Sequence, residues 1–210
     1  MTELNIDTQM RNFHRVLTVI LFVVVIQSFT TMAFAKTEHQ KYRVIHTEKE
    51  FEIRFYPSVT LATVYSDAHS YSELSGSGFR KLAGFIFGGN ETGTKIAMTA
   101  PVHMDITQSG SSMSFVMPAD MNREKLPEPK DTGVKIEQTK DEYVAAILFG
   151  GYASDKDIRF YSEKLKKLLD EKGIAYYGNF RYLGYNPPFQ PFWRRNEIIV
   201  SVRWTENTAK

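Results

Sequence analysis

Hydrophobic and polar residues alternate with a period of two through much of the chain. The clearest run is residues 95–107, where Ile96, Met98, Ala100, Val102, Met104 and Ile106 share one face. Ala97, Thr99, Pro101, His103 and Asp105 share the other. That period predicts a strand with one buried and one wet face, as in an antiparallel sheet. Phe51, Ile53 and Phe55 alternate in the same way with Glu52 and Arg54, and residues 59–65 read as a strand through their β-branched content. Met113, Phe115 and Met117 form another strand, stopped by Pro118, and residues 134–139, 142–149 and 174–183 are strand-like. In the last run, Ile198, Val200, Val202 and Trp204 alternate with Glu197, Ser201 and Arg203.

Twice the period changes to that of a helix. Over residues 71–87, Phe79, Leu82 and Ile86 stand at helical spacing before a Gly88-Gly89-Asn90 stop, with Gly76-Ser77-Gly78 weakening the start. Over 155–172, Ile158, Tyr161, Leu165, Leu168 and Leu169 make one apolar stripe, closed by Gly173. Residues 118–133 carry Pro118, Pro127, Pro129 and Gly133 and read as a connector within one domain, because each side of it runs strands, helix, strands. The predicted class is α+β: a distorted antiparallel sheet closed toward a barrel, built from two similar halves and flanked by two helices.

Residues 1–35 have a different character. Arg11, His14 and Arg15 precede an apolar run, 16–26, and Ala33-Phe34-Ala35 has the small-x-small form of a cleavage site. This is the layout of a secretory signal peptide. The alternative is an uncleaved anchor using residues 16–35. The predicted organisation is thus a signal peptide or anchor over 1–35, a polar spacer over 36–41, one domain over 42–205 and a tail over 206–210. It places the protein in an exported location, periplasmic or secreted. With no cysteine, the domain relies on its core rather than on disulfides, and cysteine-based zinc sites are excluded. The net charge of +2 survives removal of Glu3, Asp7, Arg11 and Arg15, and is too balanced for a nucleic-acid footprint. Membrane contact is expected only through the N-terminal segment.

Four motifs in order carry a family likeness: EIRFYP (52–57), KIAMTAPV (95–102), FGGYAS (149–154) and GYNPPFQPFWRRNEI (184–198). Together they resemble the SOUL haem-binding-protein family over essentially residues 42–204. The resemblance implies a distorted β-barrel with two flanking helices. It also implies a binding protein without catalytic apparatus, which takes haem or a related tetrapyrrole in an apolar groove. Some members place an axial histidine in the first motif, but Phe55 stands there in this chain.

The residues themselves suggest where a tetrapyrrole would lie. Its macrocycle favours flat apolar contact, and its propionates favour cations at the rim. Phe189, Phe192 and Trp193 beside Arg194 and Arg195 offer that combination. So do Phe79, Leu82, Ala83, Ile86 and Phe87 beside Arg80 and Lys81, unless this helix merely buries one face on the sheet. Met98 and Met104 read as core filler rather than haem ligands. Of the histidines after residue 35, His39 and His46 precede the first strand. His103 reads as a solvated surface residue, and His69 is the candidate nearest a pocket edge to ligate metal. Reversible binding without an axial protein ligand, as a carrier, buffer or scavenger, is the expected mode. A module for other hydrophobic ligands or for a protein partner is the alternative. No nucleophile elbow, phosphate loop or HExxH occurs. Glu48, Glu50 and Glu52 read as a solvated edge, and Asp155 and Asp157 as helix caps.

Overall fold

The computed structural model describes residues 37–205, so the expected signal segment and C-terminal tail lie outside the described residues. The strands are β1 (Glu38–His39), β2 (Arg43–Thr47), β3 (Glu52–Tyr56), β4 (Thr60–Ser66), β5 (Thr99–Ala100) and β6 (Val102–Thr107). They continue with β7 (Gly110–Val116), β8 (Val134–Gln138), β9 (Glu142–Phe149), β10 (Tyr176–Gly184) and β11 (Asn196–Val202). Helix α1 (Tyr71–Ile86) follows β4, and α2 (Asp155–Lys172) follows β9. The run 95–107 is therefore strand only over Thr99–Ala100 and Val102–Thr107, not from Lys95. Pro101, which has no N–H for a ladder, separates a short β5 from β6.

Nine strands form one antiparallel sheet in the order β2-β3-β9-β11-β10-β6-β7-β4-β8, and β1 pairs with β5 in parallel. The expected halves are present as β3-β4-α1-β6-β7 and β8-β9-α2-β10-β11, meeting where β10 pairs with β6. Their leading strands are exchanged, since β3 lies beside β9 and β8 beside β4. The sheet is not closed into a barrel: β2 and β8 remain as separate edges. Period-two alternation is the same in an open and a closed sheet, so it could not tell them apart. Both edges are short, and a register shift between Val44 and His46 irregularises β2, features that discourage further edge pairing.

Both helices cover one face. Helix α1 buries Leu74, Gly78, Leu82, Phe85 and Ile86, and α2 buries Leu165 and Leu169. They pack on a core of Ile53, Val64, Met104, Met113, Phe115, Ala145, Ile147, Ile198, Val200 and Val202. Gly76-Ser77-Gly78 does not interrupt α1. Gly78 lets the helix pack tightly on the sheet, since a Cβ there would stand 3.3 Å from the Met113 side chain. Ser70 caps α1, while Ser154 and Asp157 form a capping box on α2. Asp155 reaches across to α1 instead, accepting from the amides of Tyr71 (2.6 Å) and Ser72 (3.4 Å). Among the described residues no helix is long and apolar enough to cross a membrane.

Candidate functional site

The face without helices reverses the pattern that alternation predicts. Arg54 on β3 and Glu197 on β11 are buried, and the residues between them on β9 are Val144 and Ala146. Glu197 Oε2 accepts from Arg54 Nη1 (2.8 Å) and from the Tyr185 hydroxyl (2.9 Å), while Oε1 accepts from Arg195 Nη2 (2.7 Å) and Nε (3.0 Å). Arg54 also donates to Glu52 (2.7 Å). Burial works against the charge on both arginines. Pairing with Glu197 outweighs it and holds each guanidinium above its ordinary range. Burial, reinforced by the Glu197 charge, pushes the Tyr56 phenol up to about 12 and raises that of Tyr185.

The chain between Glu38 and Arg43 straps this network down. Tyr42 accepts from Arg195 (3.0 Å), lies beneath the Arg54 guanidinium and packs on Tyr56. The His39 ring packs on Tyr185, and Gln40 Oε1 lies 2.7 Å from His103 Nε2. Residues 38–41 are thus part of the fold rather than a spacer. Nor is His103 a fully solvated surface residue as expected: it is half-buried against Gln40, and burial, with the nearby Arg181 charge, pushes its pKa down to about 3. Arg54 lies on the interior strand β3, so the charge run 48–52 continues into the buried network instead of ending at a wet edge.

Beside this network lies a cavity of about 780 Å³ bounded by the β2–β3 turn, β9 and the loop before β11. Its walls include Leu148, Phe149 and Trp193, and its charged lining includes Glu48, Lys49, Glu50, Arg194 and Arg195. The acids are answered from α2. Lys172 pairs with Glu48 at 2.7 Å, Lys164 pairs with Glu50, and both carboxyls are held below their ordinary range by these partners. Lys49 lines the same cavity and makes no described ion pair. Local pattern gave no reason to single it out.

The loop that borders this cavity is tied shut along its length. Arg194 Nη1 donates to the carbonyls of Pro187 and Gln190 (both 2.8 Å), and the Arg195 amide donates to Asn186 Oδ1 (2.6 Å). The Arg194 guanidinium also stacks on Tyr152. Phe189, Phe192 and Trp193 are left 82, 67 and 92 % exposed.

The residues expected to form one groove are distributed unevenly. Leu82 and Ile86 belong to the sealed core, because the helical apolar stripe containing them faces the sheet. Ala83 is half-buried, Phe79 packs edge-on against Phe115, and Phe87, Arg80 and Lys81 are exposed at the helix surface. Of the expected residues, Arg194 and Arg195 border the large cavity, but their guanidiniums are held by carbonyls and by Glu197. His69 borders a different cavity of about 390 Å³ over the β6–β10 seam, with Met104, Ile106, Arg159, Phe180 and Tyr182. Its Nδ1 lies 3.4 Å from the Thr107 carbonyl. Among the described residues no group of three His, Asp or Glu side chains is placed to hold a metal ion.

Residues 37–201 match the SOUL heme-binding protein family. Heme-binding protein 1 of Mus musculus is 28% identical over 177 residues, covering 79% of this chain and 93% of its own length. Heme-binding protein 2 of Mus musculus is 28% identical over 156 residues, covering 70% and 76%. Among solved structures, the EcmrR C-terminal domain superposes with a TM-score of 0.54 at 10% identity, covering 74% of this chain and 98% of that one, which is a likeness of fold alone. With a family match over most of the domain and the four motifs in place, the chain belongs to the SOUL heme-binding protein family.

Proposed function

We propose that this protein binds haem or a related tetrapyrrole reversibly, as an exported carrier or buffer rather than as an enzyme, in the cavity between the β2–β3 turn and the loop before β11. The observation that carries this reading is the pairing of an aromatic loop held rigid with an adjoining cavity of about 780 Å³, a size usual for small-molecule sites. Trp193, Leu148 and Phe149 supply flat apolar contact for a macrocycle. Lys49 is the cation placed to meet a propionate, since the acids around it already have partners in Lys172 and Lys164. When bound, the tetrapyrrole supplies its own redox and optical properties, and the protein supplies shape, orientation and a charged rim. His69 lines a separate cavity, which favours binding without an axial side chain from that position.

A titration of residues 36–210 with ferric haem tests this, since every strand and both helices lie within that range. The expected result is a shifted Soret band at roughly one-to-one stoichiometry, with Lys49→Ala weakening haem about tenfold and its dimethyl ester much less. No spectral change up to tens of micromolar haem counts against the proposal. It would favour a different hydrophobic ligand for the same cavity.

A further inference from the structure

The tip of the loop before β11 is too apolar and too exposed to be explained by the cavity alone. Phe189 and Phe192 are absent from the cavity wall, yet they stand 82 and 67 % exposed beside a Trp193 that is 92 % exposed. Apolar side chains gathered in this way mark a contact surface. The display is also built. Trp193 holds a left-handed backbone conformation (φ 50°), uncommon for a bulky residue, and the Arg194 and Asn186 hydrogen bonds fix the turn around it. From Gly184 to Asn196 the loop carries two arginines and no carboxylate.

The position of the loop narrows the choice of partner. The described domain begins at β1, whose His39 packs its ring on Tyr185 at the base of this loop, 5.8 Å between centroids. The chain before β1 carries the apolar run 16–26, which ends twelve residues short of Glu38. Twelve residues span at most about 40 Å. That length of chain tethers the apolar run to Glu38, next to the His39 that packs at the base of the aromatic tip. Exposed aromatic side chains suit the headgroup layer, where a ring meets acyl chains, and a loop without carboxylates adds no charge to repel anionic headgroups.

We propose that Phe189, Phe192 and Trp193 form a membrane-interface anchor, which seats the mouth of the cavity at the surface of a phospholipid bilayer. The contact is independent of whether haem is the cavity's ligand, and it persists when residues 1–35 are removed.

The two tryptophans make the test direct, since Trp204 is buried and Trp193 is exposed. The Trp204→Phe variant of residues 36–210, free of haem, is mixed with phosphatidylcholine–phosphatidylglycerol vesicles with and without brominated acyl chains. The full-length chain reconstituted in the same vesicles is the second arm. The expected result is a blue shift of Trp193 emission with quenching by bromine in both arms, and a vesicle-bound fraction that falls roughly tenfold or more in Phe189→Ser/Phe192→Ser. Emission unchanged by vesicles and unquenched in the full-length arm overturns the proposal. So does a lipid-free, concentration-dependent blue shift lost in the double variant, which would assign the tip to a second copy of the chain. Should Trp204→Phe fail to fold, the unmodified domain and the double variant are co-sedimented with the same vesicles. Binding lost in the double variant supports the anchor, and equal sedimentation of the two overturns it.

Discussion

Glu197 and Ile198 are neighbours on β11, and both are 0 % exposed. They are held by opposite means. Ile198 points to the helix-covered face and is buried in the apolar core, with α2 packed on its strand. Glu197 points to the other face and is hidden by two arginines, a tyrosine and the N-terminal strap. One face of the sheet excludes water by non-directional packing. The other does so by a charge network in which both Glu197 oxygens accept from specific donors. Packing tolerates small edits, whereas a network built from single bonds does not.

The largest test of that contrast is a pair of near-isosteric changes. Glu197→Gln keeps the shape and removes the one anion shared by Arg54 and Arg195, leaving a buried and a half-buried cation without that partner. Losing one member of such a pair costs about 3–5 kcal/mol, and Glu52, still bonded to Arg54, points to the lower end. Ile198→Val removes one methylene from the packed face and costs about 1 kcal/mol. Urea melts of the two variants check the ordering. Equal losses would mean that water reaches the helix-free face and that the network is weaker than its geometry suggests.

The contrast also separates what was legible in the sequence from what was not. Helix α2 and strand β9 lie where periodicity placed them, residues 155–172 and 142–149, because each buries one regular stripe. The same periodicity misread the buried Arg54 and Glu197 as wet, and the half-buried His103 as a surface residue. Alternation reports which residues share a face, not whether that face meets water. The partner that hides Glu197 is Arg54, 143 residues away, and no local window contains both. The strap from Glu38 to Arg43 was legible only as polar sequence. Phe189, Phe192 and Trp193 stood out because they exceed what a turn between strands needs, yet of the three only Trp193 borders the cavity. Leu82 and Ile86 were misassigned because an apolar helix stripe reads alike whether it faces a pocket or a core.

A medium effect follows from His103, the neutral member of the helix-free face. Gln40 and Arg181 face it, and its pKa of about 3 lies below the ordinary histidine value. The unfolded chain therefore binds a proton that the folded chain refuses. Stability from this group is complete above about pH 6.5 and falls as pH drops toward 3, by up to about 1 kcal/mol per unit. In His103→Gln, which keeps a polar partner for Gln40, the melting temperature should fall less steeply between pH 6.5 and 4 than in the unchanged protein. Parallel slopes would place His103 in contact with solvent.

The smallest expected effect tests the exception on the other side, where charge does serve the helix-covered face. Asp155 at the start of α2 accepts from the first amides of α1 and so ties together the halves that meet at the β6–β10 seam. Burial works against its charge, but the Tyr71 and Ser72 donors and nearby Arg159 outweigh that and hold the carboxyl below its ordinary range. A carboxylate lowered in this way stabilises the fold above the ordinary aspartate pKa and ceases to do so as pH falls through its lowered value. Asp155→Ala should cost about 0.5–1 kcal/mol near neutral pH, the scale of a lost helix cap, because Ser70 still caps α1. That cost should shrink as pH falls below the ordinary aspartate value, a more acidic window than the one set by His103. Measuring both variants across pH 2–7 separates the two faces by where each loses stability. A cost for Asp155→Ala that persists in full at pH 2 would mean that Asp155 acts through packing rather than through its charge.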